Sequence, residues 1–427
     1  MQDHARVQAV IDLVEEVHHS LEQKGPAADM LVRQYFRSRR YAGSRDRRLI
    51  TDMLYNIIRG WGSFRASMEE FSARKMVLAF LISNGTAREE IDTYFGGATH
   101  GPAPLTPEEQ CYLDHLKIPE RRCPEWMENR LRGRFGEELD EALSALNERA
   151  PLNLRVNTLK TNRENVCAIL REHNIDGMPG QWGPQALIVP TNTRIRDLDL
   201  YKKGLVEFQD EAAQIAVSLC GLVPGQQVVD FCAGGGGKSL AAAAVMQNRG
   251  QICAFDISKA RLADLKPRAK RAGVHILQSR GLAQTEAERQ KQLAPVRGKM
   301  DRVLVDVPCS GSGTWRRNPE AKWRLEEKDL MFYVHLQQEI LDQAWPLVRE
   351  GGRLVYMTCS LFEEENENQV EQFLRRHKTA VLKDYRDTAP GRFPETFSLM
   401  APCLLLVPHR HGTDGFFVAI MEKKTVS

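Results

Sequence analysis

From residue 206 onward the chain alternates short apolar runs with amphipathic stretches, and this alternation leaves few architectures open to it. The runs at 227–230, 251–256, 275–278, 302–306, 353–358 and 416–421 have strand length and are bounded by Gly, Pro or charged residues. Between them, stretches such as 238–248 and 363–377 carry helical periodicity. The pattern predicts an α/β fold with a doubly wound sheet, which binds ligands beyond the C-terminal ends of its strands. No repeat at a fixed period is present.

The preceding sequence reads differently. Val7, Val10, Val14, Val17 and Leu21 recur at steps of three and four until Gly25 and Pro26 stop the helix. Leu49, Ile50, Met53, Leu54, Ile57 and Ile58 mark a second helical face, and 76–82 is apolar all round, as in a buried helix. Thr86 with Glu89 reads as a capping box, and Thr106 and Pro107 with Glu109 as another helix start, with Pro at the first helical position. The expectation for 1–148 is an all-helical domain of five to seven helices, with a loop at 96–105. At Pro151 the period changes: Leu152, Leu154 and Val156 alternate with polar residues, and 186–189 is another strand candidate. A small α+β module over 149–205 and a catalytic domain over 206–427 complete the predicted organisation.

Composition narrows the class. With 427 residues, 42% hydrophobic and 27% charged, the chain can bury a large core, and no low-complexity segment stands out. The longest apolar runs, 76–82 and 240–246, fall far short of the roughly 20 residues of a membrane span. The first residues lack a basic patch followed by an apolar stretch, so a cytoplasmic location is expected. Fifty-nine basic against 56 acidic side chains give +3, too balanced to announce a nucleic-acid partner without local evidence. Nine cysteines, odd in number and never spaced as CxxC, argue against a disulfide framework and against a metal site, and leave core packing or catalytic thiols.

The segment 230–239, DFCAGGGGKS, follows a strand and opens a helix, where glycines let backbone approach a ligand. A Walker A loop ending at Lys238 and Ser239 would need glycine where Cys232 stands, and the dinucleotide pattern GxGxxG does not fit either. An acid remains before the turn, Asp230, and another, Asp256, ends the next strand at the spacing of a carboxylate that accepts from ribose hydroxyls. The competing role for Asp256 is to open the following helix with Ser258. An adenosine-type cofactor without a pyrophosphate, S-adenosylmethionine, suits this pair of acids with the glycines between them.

Two cysteines lie at neighbouring strand ends. The run 301–306 ends in Asp306, followed by Pro308, Cys309 and a loop with Gly311 and Gly313; the run 353–358 ends in Thr358, followed by Cys359 and Ser360. Either cysteine alone would read as a small buried hydrophobe. Together at ligand-binding strand ends they suit a reaction that needs thiols. Carbon 5 of cytosine is a poor nucleophile, but thiolate addition at carbon 6 makes it enamine-like and able to attack a methyl sulfonium, after which a base removes the carbon 5 proton. The site must favour thiolate or pass its proton on. Asp306 can accept from the exocyclic amine as a carboxylate, or donate to ring nitrogen 3 if protonated.

These segments, with PLNLRVN at 151–157 and HGTDGFF at 411–417, resemble the successive motifs of the RsmB/NOP family of RNA cytosine-5 methyltransferases over roughly 140–427. The resemblance implies a Rossmann-like class I methyltransferase sheet and S-adenosyl-L-methionine as cofactor. It makes Cys359 the nucleophile and Cys309 the thiol that assists release; DNA cytosine methyltransferases use the cysteine after proline and lack the second, so the pair points to RNA. It further implies cofactor contacts from Asp230, Cys232, Ala233, Gly234, Gly235, Gly236, Gly237, Lys238, Asp256, Arg261 and Asp306, and RNA contacts from Arg155, Asn157, Arg316, Arg317 and Lys322. Two departures stand out: the family commonly has Ala-Pro or a similar pair where Ala233, Gly234 and Gly235 stand, and the acid after its third strand is replaced by Gln278, Ser279, Arg280 and Gly281.

The stretch 315–324, WRRNPEAKWR, interleaves aromatics with cations as a base-stacking, phosphate-holding loop does, or as a loop with two packed tryptophans does. The segment 33–48 carries seven arginines and one acid, either an RNA surface or a solvated face. The helical start with GSRDRR at 43–48 resembles the NusB-like domain of the family's ribosomal members. The expectation is therefore a monomeric methyltransferase of ribosomal RNA, 16S in particular, with transfer RNA methylation and a non-catalytic RNA-binding assembly factor as the alternatives.

Overall fold

The structure, a computed structural model, describes residues 1–388 and 393–425. The chain divides into two compact units, Met1–Glu148 with Trp315–Glu326, and Arg149–Thr314 with Glu327–Ser427.

Among the described residues the first unit holds nine α-helices before residue 148, from Asp3–Glu22 to Leu139–Asn147, more than the periodicity predicted. The extra helices come from sharp breaks that apolar spacing does not register; Gly60, for example, separates Ser44–Arg59 from Trp61–Ala66. Val10, Leu13, Val14 and Val17 of the first helix share one core with Ile50, Leu54, Ile57, Ile58, Met76 and Val77. The helix expected at Pro107 forms as Pro107–Asp114, and Thr106 and Glu109 close a capping box on it. The box expected at Thr86 does not form. Its amide instead bonds Leu81 O at 3.0 Å and closes the preceding helix past Gly85, so the next helix, Arg88–Tyr94, starts beyond Ala87. Residues 315–326 complete this unit: Arg324 donates to Gly25 O at 2.8 Å and Pro26 O at 2.6 Å, and Glu320 accepts from the Ala28 amide at 3.3 Å.

The second unit contains two sheets. The strands of the small one are β1 (Leu152–Val156), β2 (Met178–Pro179), β3 (Ala186–Val189) and β4 (Val206–Phe208), antiparallel in the order β2-β3-β1-β4. Its apolar face packs Leu154, Val156 and Leu187 against Val166 and Leu170 of the helix Arg163–Glu172.

The large sheet is built from β5 (Gln227–Asp230), β6 (Gln251–Asp256), β7 (Leu277–Gly281), β8 (Met300–Asp306), β9 (Val348–Thr358), β10 (Ala380–Lys383), β11 (Leu404–Leu406) and β12 (Phe416–Lys423). Its order is β10-β12-β9-β8-β5-β6-β7, with β11 beside β12. Strands β5 to β9 pair in parallel, and β12 runs antiparallel to β9 with Phe417 opposite Thr358. This is the doubly wound α/β sheet that the alternation predicted, and the Rossmann-like methyltransferase fold that the family resemblance implied. Strand β7 begins two residues later than expected, because Gly273 ends the helix Leu265–Ala272 in a left-handed conformation and 274–276 serve as a connector. The chain adds β6 and β7 on one side of β5, then crosses to place β8 and β9 on the other. The resulting switch point opens a crevice at the C-terminal ends of β5 and β8. No helix among the described residues is long and apolar enough to cross a membrane.

Candidate active site

Asp230 closes β5 and is buried; its Oδ2 accepts from Ser239 Oγ at 2.6 Å, while its Oδ1 has no protein partner. Burial raises its pKa to about 6. The glycine turn that follows carries Gly236 at φ 78° directly before the helix Gly237–Val245, where an added Cβ would stand 1.9 Å from Leu265 Cδ1. Asp256, at the end of β6, accepts from the Gly234 amide at 2.8 Å and the Ser258 amide at 2.7 Å. It therefore ties the glycine turn to the start of Lys259–Ala263, whose N-cap is Ser258, and performs the helix-opening role. Arg261 is largely exposed, with Nη1 at 3.6 Å from Asp256. The other turn residues serve the backbone frame: Ala233 N bonds Phe255 O at 2.8 Å, and Gly235 O accepts from Arg268 at 2.5 Å. Burial, then Asp256, Asp306 and Asp230, push the Cys232 thiol well up, so it stays protonated as packing.

Across the switch point, Asp306 ends β8. Lys238, in the first turn of the helix after β5, reaches it with Nζ at 2.5 Å and lies 5.0 Å from the Phe416 ring centre. Burial alone would lower the Lys238 pKa, but Asp306 overrides it and holds the ammonium above its ordinary range. Sequence reading placed Lys238 with the cofactor; the structure sets it on Asp306 as an ion pair.

Cys309 and Cys359 follow β8 and β9, and their Sγ atoms are 3.3 Å apart. The hydrogen bond to Cys359 and burial push the Cys309 thiol well up, so Cys309 stays protonated. Backbone contacts hold the surrounding loops. Gly313 N bonds Cys359 O at 2.9 Å, and Gly415 N bonds Gly313 O at 2.8 Å, at a contact where a Cβ on Gly313 would fall 2.3 Å from Gly415 O. The segment 411–417 is thus joined to both thiol loops. The buried carboxylate of Glu365 lies beneath them, accepting from the Ser310 amide at 2.8 Å and from the hydroxyls of Ser310 and Ser360. Sequence reading missed Glu365, because three successive glutamates read as a solvated helix start; only their position just past a ligand-binding strand end hinted otherwise.

Of the five residues expected to hold RNA, Arg155 and Asn157 belong to the second unit and Arg316, Arg317 and Lys322 to the first. Arg155 is buried on β1 and donates to Gly237 O at 2.8 Å and to Gln209, so it braces the glycine turn from beneath. Asn157 is buried and donates to Gly204 O and Ala272 O, both at 2.8 Å. Lys322, 1% exposed, bonds Asn147 Oδ1 at 2.9 Å and lies 5.7 Å from the Trp315 ring centre, and Arg316 is buried in the same unit. Burial withdraws these four from phosphate; Arg317 is half-buried. The tryptophans and cations of 315–324 pack on each other within the first unit instead of forming an open stacking platform.

Comparison with known proteins follows this geometry. A family model described as 16S rRNA methyltransferase RsmB/F matches residues 218–422, and one for the ferredoxin-like domain of the same family matches 123–196. Ribosomal RNA small subunit methyltransferase B of Photorhabdus laumondii is 32% identical over 301 residues, and its counterpart in Yersinia enterocolitica is 33% identical over 304. Each alignment covers 70% of this chain and 66% of the relative, so the match spans just under two thirds of those proteins. The solved structure of PH0851 matches 99% of both chains with a TM-score of 0.78 and 27% identity. A methyltransferase homologue from Pyrococcus horikoshii matches 71% of this chain and 95% of its own with a TM-score of 0.60 and 26% identity.

The cofactor of these methyltransferases is S-adenosylmethionine, and the residues at the crevice fit it: an acid at each of two neighbouring strand ends, an unpartnered buried oxygen on Asp230, and a turn kept clear by glycine. Sheet order, paired thiols and sequence similarity agree, and the chain belongs to the 16S rRNA methyltransferase RsmB/F family.

Proposed function

We propose that the protein methylates carbon 5 of a cytosine in ribosomal RNA, through a covalent bond from Cys359 to carbon 6 of the base. The observation that carries this reading is the Cys309–Cys359 pair, at 3.3 Å, beside the Lys238–Asp306 ion pair and across the switch point from the glycine turn. S-adenosylmethionine supplies an electrophilic methyl group when bound. Asp230, Asp256 and the glycine turn hold that cofactor, with Arg155 bracing the turn from below.

The chain's own groups set up the rest. Asp306, facing the Lys238 ammonium, acts as a carboxylate and accepts from the exocyclic amine, which orients a base turned out of its helix. Cys309, its thiol held well up by the contact with Cys359 and by burial, keeps its proton 3.3 Å from Cys359 Sγ, the atom that adds to carbon 6. Addition makes carbon 5 nucleophilic. After methyl transfer a base takes the carbon 5 proton, the C–H electron pair restores the carbon 5–carbon 6 double bond and expels Cys359 Sγ as thiolate, and Cys309 assists that release.

RNA is held elsewhere than first expected. Arg37, Arg40, Arg45 and Arg48 are exposed on the first unit together with Tyr41, a surface suited to phosphates and to stacking.

Replacing the thiols one at a time tests the assignment. Cys359→Ala is expected to abolish methylation. Cys309→Ala is expected to accumulate a protein–RNA adduct that survives a denaturing gel. Normal turnover by either variant would overturn the roles. Bisulfite sequencing of ribosomal and transfer RNA from a deletion strain identifies the substrate class; a lost mark confined to transfer RNA would move the target there.

A further inference from the structure

Glu365 is a fully buried carboxylate that methyl transfer does not itself require. It lies in the short turn Glu363–Glu365 after β9, and its neighbours Glu363 and Glu364 are half-exposed. Its two oxygens divide their donors between two loops. Oε1 accepts from the Ser310 amide at 2.8 Å and from Gln337 Nε2 at 2.9 Å, while Oε2 accepts from the hydroxyls of Ser310 and Ser360. Ser310 is the neighbour of Cys309, and Ser360 is the neighbour of Cys359. Gln337 also donates to Pro308 O at 3.0 Å, and Tyr356 donates to the Glu365 carbonyl at 2.6 Å, so the anchor itself is held from the helix and from the strand.

A charge buried this deeply is costly, and an apolar side chain would fill the space more cheaply. What an apolar residue cannot do is accept at once from loops that lie 50 residues apart in sequence and follow different strands. We propose that Glu365 is the positioning residue of both reaction thiols: by fixing Ser310 and Ser360 it sets the Cys309–Cys359 distance. The inference rests on the two-thiol reaction proposed above.

The test uses the full chain and two variants, Glu365→Gln, which keeps the volume, and Ser360→Ala, which removes one donor to Glu365 together with that hydroxyl's bonds to the Phe362 amide, Ser310 and Ser312. One readout is independent of RNA. Diamide oxidises Cys309 and Cys359 to a disulfide: the two thiols lose two electrons and two protons, and the azo bond of diamide takes them up as a hydrazine. The other readout is the steady-state kinetics of methylation. In both variants closure of the pair is expected to slow about tenfold and kcat to fall about tenfold, with KM for S-adenosylmethionine within about twofold of wild type, the pattern of reacting groups misplaced by a fraction of an ångström.

Variants that melt cooperatively like wild type and match it in both rates overturn the proposal. So does a wild-type pair that diamide cannot close, or slower closure with an unchanged kcat. If wild type methylates no RNA but the variants still close slowly, Glu365 positions the thiols and the methyl-transfer reading is the one that falls.

Discussion

Asp230 is the residue whose protonation is most open to measurement. Its pKa is raised to about 6 by burial, against about 3.9 in an unfolded chain. Between those values the folded protein keeps a proton that the unfolded chain has lost, so this group withdraws stability as pH rises through the window. A ligand that donates to its unpartnered Oδ1 needs the ionised form. Affinity for S-adenosylmethionine, measured by calorimetry, is expected to fall as pH drops below about 6, toward tenfold per unit. Asp230→Asn should bind weakly and without that pH dependence; a wild-type affinity equal at about pH 5 and about pH 7.5 would remove Asp230 from the cofactor site. Asp230, Cys309 and Cys359 were legible in the sequence because strand-end position singles out chemistry-bearing residues in this fold. Glu365 was not, since its function lies in which two loops it joins, and contact between distant segments has no local signature.

At the scale of elements, the glycine turn shows how closely backbone and packing are matched. Gly236 combines a left-handed φ of 78° with a position where an added Cβ would stand only 1.9 Å from Leu265 Cδ1. Gly236→Ala is expected to cost about 1–3 kcal/mol of stability and to weaken cofactor binding, since a Cβ is strained at that φ and the Leu265 side chain must shift to admit it. Thermal melting with and without S-adenosylmethionine measures both effects; an unchanged melting temperature would show that the turn can relax. The strands around this turn were visible in sequence because a strand covered on both faces is a nearly continuous apolar run. Strands β10 and β4 were not: β10 is half-exposed throughout, and β4 places Glu207 among apolar residues, where Arg268 at 3.0 Å and Arg271 neutralise it. Thr86 failed for a different reason. A capping pattern competes with the closure of the previous helix for the same amide, and here closure takes it.

For the whole molecule, the telling feature is that the chain passes from one unit to the other three times, at 148–149, 314–315 and 326–327. The segment 315–326 follows the Cys309 loop in sequence yet packs as part of the helical unit, and alternating tryptophans and cations alone cannot distinguish that from an RNA platform. In both settings the cation faces an aromatic ring; burial decides which it is. Lys322 makes the packing measurable. Burial lowers its pKa to about 8, against about 10.4 unfolded. Between those values the unfolded chain holds a proton that the folded unit has released, so stability rises with pH across the window. At neutral pH the folded unit carries the cost of a buried ammonium, with the bond to Asn147 as its partial compensation. Lys322→Met is therefore expected to leave the helical unit as stable as wild type or more stable, by about 1–3 kcal/mol near pH 7, and to abolish the rise between about pH 8 and about pH 10. Thermal melts at about pH 7 and about pH 9.5 decide the matter. A destabilised Lys322→Met protein with an unchanged pH slope would mean that the ammonium is solvated and that 315–326 stands open to ligand after all.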